Sequence, residues 1–356
     1  MKNKLLTLAV PTYNMEKYLA RCLDSVLCDN KDYLEVLVVN DGSKDRSSEI
    51  GHKYEAKYPD VIRVIDKENG NYGTCVNRAL AEAKGKYFRM LDADDWCNTE
   101  ALNQWLEELK TCDADMVLTI SEDRGADNEL LLRMDAPSTM QSGRIMSADE
   151  FDAHALGYKY IYCSHVVTYR TELLRQIGLE LQAGISYTDN EYVFFPLDYI
   201  QSVIYYDLPV YQYFVGREGQ TTSPEQLFKH SNQLLLVFRR LFDYYMLNQQ
   251  KVSVAVLNNQ RILLQVILSW LYGPLFKLPY TDEKRTQVDI IDELIKKDVY
   301  LYRATSRSNK NLGFYRKTGL YLTSPIARMY NQYYLLLVWF VSRYPFYRIL
   351  KGKSKS

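Results

Sequence analysis

The chain has 356 residues, enough for one large α/β domain with a smaller companion and for a core that needs no disulfide staples. Its 44 Lys and Arg balance 44 Asp and Glu, which excludes a uniformly basic nucleic-acid coat and a highly charged disordered chain. The two signs are nevertheless unevenly placed: residues 299–356 hold 11 Lys or Arg and no acid, leaving the first 298 with 33 basic and 44 acidic side chains.

Through residue 120, short apolar runs alternate with segments of helical period. Runs at 5–10, 34–39, 61–65, 87–91 and 116–120 predict strands. Segments at 16–27, 45–58, 74–83 and 99–109 predict helices, with Thr99 as N-cap of the last and Ser43 or Asp45 of the second. This alternation implies right-handed crossovers and a mainly parallel sheet with ligands beyond the carboxyl ends of its strands. Residues 121–147 are polar and contain Gly125, Pro137 and Gly143, predicting loops or a small hairpin, and 161–213 return to short strand-like pieces. A Gly-, Ser- and Pro-containing stretch at 216–224 leads into helical patterns at 225–247, 252–272 and 282–301. The expected division is an α/β domain over 1–220 followed by a smaller α-helical domain over 221–356.

The apolar run at 5–10 is too short for a signal-peptide core, and no uninterrupted stretch of about 20 apolar residues is present. Six cysteines lack paired spacing or a nearby His, so the expected setting is a reducing cytoplasm.

The strand ends carry the chemistry. Pro11 is expected to stop the first ladder and leave Thr12, Tyr13 and Glu16 at the ligand edge. The second strand ends in Asn40-Asp41-Gly42-Ser43, a carboxylate in a tight turn that ordinary strand punctuation also explains. The third precedes Glu68-Asn69-Gly70-Asn71-Tyr72-Gly73, a loop whose N–H groups suit an approaching phosphate. Neither G-x-G-x-x-G nor a Walker lysine is present, so a dinucleotide site and a P-loop are unsupported. The fourth strand runs into Asp92-Ala93-Asp94-Asp95. Three carboxylates in four residues repel one another unless a cation sits among them, and oxygen ligands suit Mg2+ or Mn2+ bridging carboxylates to substrate phosphates. Solvated turn acids are the alternative.

Taken in order, Val10-Pro11-Thr12-Tyr13-Asn14-Met15-Glu16-Lys17-Tyr18-Leu19, Val38-Val39-Asn40-Asp41-Gly42-Ser43-Lys44-Asp45, the 69–77 stretch and Gly85-Lys86-Tyr87-Phe88-Arg89-Met90-Leu91-Asp92-Ala93-Asp94-Asp95-Trp96 resemble the GT-A glycosyltransferases, specifically the inverting family 2 that uses nucleotide-diphospho-sugars. The resemblance implies a GT-A catalytic domain, a UDP-sugar donor and a saccharide acceptor. By it, Pro11, Thr12, Tyr13, Glu16 and Asp41 would line the nucleotide pocket, Asp41 accepting from uracil or ribose, with Asn71 and Asn77 beside them. Asp92 and Asp94 resemble the family's D-x-D pair: Asp92 would face the ribose and, with Asp94, the metal, and Asp95 would lie at the edge of the donor sugar. Relatives often carry Ala-Arg-Asn after the glycine loop; Val76-Asn77-Arg78-Ala79 stands here and leaves Arg78 without a carried-over role. The family's basic group is an acid in an acid-acid-x-x-aromatic segment. Tyr187-Thr188-Asp189-Asn190-Glu191-Tyr192 matches it with Thr188 in place of the first acid, so Asp189 would be the catalytic base and Glu191 its alternative. Tyr211-x-Tyr213 and Arg217-Glu218-Gly219-Gln220 stand where relatives close a loop over the donor, with Arg217 neutralising diphosphate charge.

The basic end mixes aromatics such as Tyr333, Trp339, Phe340 and Tyr347 with Arg343, Arg348, Lys351, Lys353 and Lys355. That mixture fits a helix lying in the headgroups of an anionic inner leaflet. The expected placement is therefore cytoplasmic, peripheral at the inner face of the cell membrane, with a lipid-linked acceptor in capsule, exopolysaccharide or cell-wall polysaccharide synthesis by family analogy. The alternative is a helix packed on the catalytic domain or on the partner in a homodimer. No nucleic-acid recognition motif accompanies the charge. Two other classes stay open: a nucleotidyltransferase that makes nucleotide-sugars, against which Pro11-Thr12-Tyr13-Asn14 replaces a Gly-rich basic signature, and a non-catalytic sugar-nucleotide-binding protein, against which Asp92, Asp94 and Asp189 stand intact.

Overall fold

In the computed structural model, which describes residues 3–217, 220, 223–319 and 321, the apolar runs form strands close to the expected places. They are β1 (Leu6–Thr12), β2 (Leu34–Asn40), β3 (Ile62–Asp66), β4 (Tyr87–Met90), β5 (Trp96–Cys97), β6 (Met116–Leu118), β7 (Ser121–Arg124), β8 (Leu130–Arg133), β9 (Ile145–Ser147), β10 (Val167–Arg170), β11 (Ser202–Tyr205) and β12 (Tyr211–Phe214). Eight of them make one sheet in the order β3-β2-β1-β4-β10-β6-β11-β9, and β5-β12-β7-β8 make a second. The β3-β2-β1-β4 half is parallel, as the crossovers require. β10 enters antiparallel between β4 and β6.

Every residue of β2 is buried, as expected of a parallel strand covered on both faces. The helix Thr99–Leu109 presents Leu102, Trp105, Leu106 and Leu109 to this core at 0% exposure. Each such side chain contributes about 1.5–3 kcal/mol by leaving water. That helix starts where its period predicted, but its cap is Asn98, whose side chain accepts from Ala101 N at 3.0 Å, rather than Thr99.

Pro11 does not end β1. The strand continues through Pro11↔Val39 and Thr12↔Asn40, because the missing N–H falls on the β4 side, where pairing has already stopped at Ala9↔Met90. The polar 121–147 region holds the β7-β8 hairpin and the edge strand β9.

The chain divides into two units, Met1–Gln220 with Asn232–Val266, and Thr221–Ser231 with Ile267–Ser356. The first unit runs to Gln220 and takes in residues 232–266 as well. There Asn259 accepts from Ala153 N at 2.8 Å and donates to Phe151 O at 2.6 Å, and Tyr244 and Gln260 both donate to Asp198. In the second unit the 282–301 period breaks into two helices, Asp282–Ile295 and Val299–Ser308, since Asp298 caps the latter through Leu301 N at 2.7 Å. Arg316 clamps that unit with a bidentate pair to Asp292. The helix Val254–Lys277 is long and apolar enough to cross a membrane, although the sequence shows no unbroken apolar run, and half of its apolar window is buried inside the protein.

Candidate functional site

The carboxyl ends of β1, β2, β3 and β4 bring the expected side chains to one edge. Asp41, just past β2, is 3% exposed. Its Oδ1 accepts from Lys67 Nζ at 2.5 Å and Gly70 N at 2.9 Å, and its Oδ2 accepts from Asn71 N at 2.9 Å. The loop N–H groups expected to meet a phosphate therefore bind this carboxylate. Asn71 adopts φ 72° and its side chain caps the helix Tyr72–Glu82. Asn77 has both ends of its carboxamide on the backbone of Leu181, at 2.8 Å each, so it works as a tie between segments. Glu16 accepts from Arg46, Thr12 is buried with its hydroxyl on Val10 O, and Tyr13 is exposed. A cleft of about 480 Å3 opens here, lined by Asn40, Gly42, Lys44, Asp66, Lys67 and Asn69. A larger one of about 580 Å3 belongs wholly to the second unit and holds none of the expected site residues.

The acidic turn after β4 is the centre of the site. Asp95 is 1% exposed; Tyr211 OH donates to its Oδ2 at 2.6 Å and Phe214 N to its Oδ1 at 2.7 Å. Asp94 pairs with Arg217 Nε at 2.6 Å, while Arg21, stacked 3.9 Å over Trp96, donates to its carbonyl. Asp92 accepts from Tyr72 OH at 2.9 Å, and its other oxygen lies 3.7 Å from His165 Nε2. His165 is sandwiched between Tyr211 and Tyr213, at 4.4 and 4.7 Å between ring centroids. Its carbonyl accepts from the buried Arg89.

Asp189 opens the short helix Asp189–Phe194, after Tyr187 at φ 68°, a conformation uncommon for a bulky residue and typical of functional turns. Burial, then repulsion from Asp92, raises its carboxyl to about 6, with His165 opposing. Burial and neighbouring acids likewise push Asp94 and Asp95 up. Burial lowers the His165 imidazole's affinity for a proton, but Cys163 and Asp92 outweigh it and leave the pKa well above the usual value. Glu191, the alternative base, is consumed elsewhere: it accepts from Gln182 N at 2.8 Å and pairs with Arg240 at 3.0 Å.

Asp92, Asp95 and His165 each bring a ligand atom within 4.8 Å of the others. Carboxylate oxygens with one imidazole nitrogen suit a divalent cation. Burial first and the neighbouring acids second raise the carboxyls of Asp94 and Asp95, a cost that a cation among them would relieve. The donor set thus fits the implied metal. Sequence reading missed Tyr72, His165 and Lys67, since only tertiary closure brings them to the acids.

Residues 7–178 match the family model described as Glycosyl transferase family 2. The uncharacterized glycosyltransferase EpsJ of Bacillus subtilis (strain 168) is 29% identical over 189 residues, 52% of this chain and 54% of that protein. The chondroitin synthase of Pasteurella multocida (strain Pm70) is 35% identical over 128 residues, 36% of this chain and 13% of that protein. The matched stretch spans about half of EpsJ and less of the synthase. Among solved structures, S. aureus TarS 1-349 in complex with UDP-GlcNAc superposes with a TM-score of 0.62 at 21% identity, covering 88% of this chain and 87% of that one, a likeness of fold.

Proposed function

The chain belongs to glycosyl transferase family 2 through residues 7–178, and on that premise we propose that it transfers a sugar from a UDP-sugar to a hydroxyl of a saccharide acceptor, with inversion, in polysaccharide synthesis. One observation carries the reading: Asp189, a buried carboxyl raised to about 6, lies within electrostatic reach of Asp92 in the acidic turn. A base poised near the working pH is what an attacking hydroxyl needs. Asp189 takes the acceptor's proton as its oxygen closes on the anomeric carbon, and a single displacement needs no enzyme nucleophile. Arg217, paired with Asp94, brings a guanidinium to the side of the departing diphosphate. A divalent cation, Mg2+ or Mn2+, would be held by Asp92 with Asp94 and would supply further positive charge against the leaving group. The likeness to TarS, whose complex holds UDP-GlcNAc, and to chondroitin synthase supports the donor and product classes.

The acceptor is taken to be lipid-linked, in keeping with the basic, aromatic 330–356 segment, which lies outside the described residues. UDP release across a panel of UDP-sugars, with Mn2+ or Mg2+ and with EDTA, tests the activity. One donor should release UDP only with the metal, and both Asp94→Asn and Asp189→Asn should abolish turnover; full activity in either variant refutes its assignment.

A further inference from the structure

Resting on the reading of a cation-dependent transferase, we propose that His165 is a direct ligand of that cation, so that the site binds metal through one imidazole nitrogen as well as carboxylate oxygens. Four observations lead there. The acids of the turn share their oxygens with other partners and do not complete a cation's surroundings alone: both oxygens of Asp95 accept hydrogen bonds, and Asp94 pairs with Arg217. Asp92 keeps one oxygen on Tyr72 OH and turns the other toward His165 Nε2. Their separation of 3.7 Å exceeds a hydrogen bond, whose heavy atoms approach to about 2.7–3.2 Å. It falls within the span of two ligands that each lie about 2.1 Å from one small ion.

The ring is also fixed for the task. Tyr211 stacks on one face at an interplanar angle of 7° and Tyr213 on the other at 29°, while Arg89 fixes the backbone carbonyl. A ligand held before the ion arrives loses little entropy on binding it. Nδ1 is buried without a hydrogen-bond partner, and Nε2 is the nitrogen that faces the carboxylate.

The consequence is selectivity. Imidazole nitrogen favours a transition-metal ion over Mg2+, which prefers oxygen and retains its waters. The site should therefore take Mn2+ in preference to Mg2+, with His165 as the residue that sets the preference.

Pulsed EPR of the full chain with Mn2+ and UDP reads the bond directly. The wild type should show 14N modulation of imidazole character, replaced by the 15N pattern after labelling with 15N-histidine. In His165→Asn the modulation should vanish, Mn2+ affinity should fall at least about tenfold, and Mg2+ affinity should change less. Bound Mn2+ without nitrogen modulation in the wild type, or modulation that survives in His165→Asn, overturns the proposal while leaving the transferase reading intact. Failure of the wild type to bind Mn2+ with UDP at all overturns both. Because the labelled wild type reports the ligand without any substitution, a His165→Asn chain that fails to fold does not remove the test.

Discussion

Two acids two residues apart have opposite fates, and substitutions should separate them. Asp189 is raised to about 6 from an ordinary 3.8, chiefly by burial. Its folded value lies above its unfolded one, so its contribution to stability is present below about pH 4 and is lost as pH rises through 6. Asp189→Asn should therefore stabilise the fold at pH 7–8 by up to about 3 kcal/mol, a gain that disappears at pH 4, while turnover falls by about 10²–10⁴. Thermal melts across that range, beside UDP release, check both signs. In the wild type, turnover should drop about tenfold per unit below pH 6 as the base takes its proton. Glu191→Gln should do the reverse, lowering stability by about 1–3 kcal/mol through Arg240 and the 182 backbone, with turnover per folded molecule kept. The acidic turn was legible because three carboxylates at a strand end are costly without a reason. His165 was not, because a lone histidine in a segment without period carries no sign of the Asp92 opposite it. Asp41 was legible as a strand-end acid, but its partners, Lys67 and the 70–71 amides, come from a loop that the sequence suggested would face a phosphate.

At the scale of elements, the parallel half of the sheet could be read from its apolar runs, whereas later boundaries depended on single capping side chains. Asn98 caps a helix whose start periodicity placed correctly but whose cap it assigned to Thr99, and Asp298 sets a helix start that periodicity passed over. The antiparallel entry of β10 beside β4 left no local mark, since strands of three or four residues are too short to show which neighbour they take. The start of the helix Tyr72–Glu82 is the most exacting junction: a Cβ on Gly73 would meet Gln182 O at 2.3 Å. Gly73→Ala should therefore displace the 181–182 segment, cost about 1–3 kcal/mol and weaken UDP binding by loosening the loop that Asp41 holds. Denaturant unfolding and UDP titration measure the two effects; unchanged values would show that the junction yields easily.

Across the whole molecule, the even charge total conceals a gradient along the chain, with 11 basic residues and no acid over 299–356. Anionic vesicles should float the full chain but not a chain ended at Tyr330, and equal flotation would remove the membrane reading. The two-unit division bears on how the protein is made. The first unit borrows residues 232–266 from beyond the chain's excursion into the second; they supply Arg240 for Glu191 and Asn259 for the 151–153 backbone. A nascent chain emerging from the ribosome can assemble β1 to β12, yet it leaves Glu191 buried without its counter-charge until residue 240 is free of the exit tunnel. The Asp189 helix is thus the last part of the site to settle during synthesis. With Asp189 as the proposed base, activity should appear on a nascent chain only after residue 240 has emerged, later than the strands that carry the acidic turn.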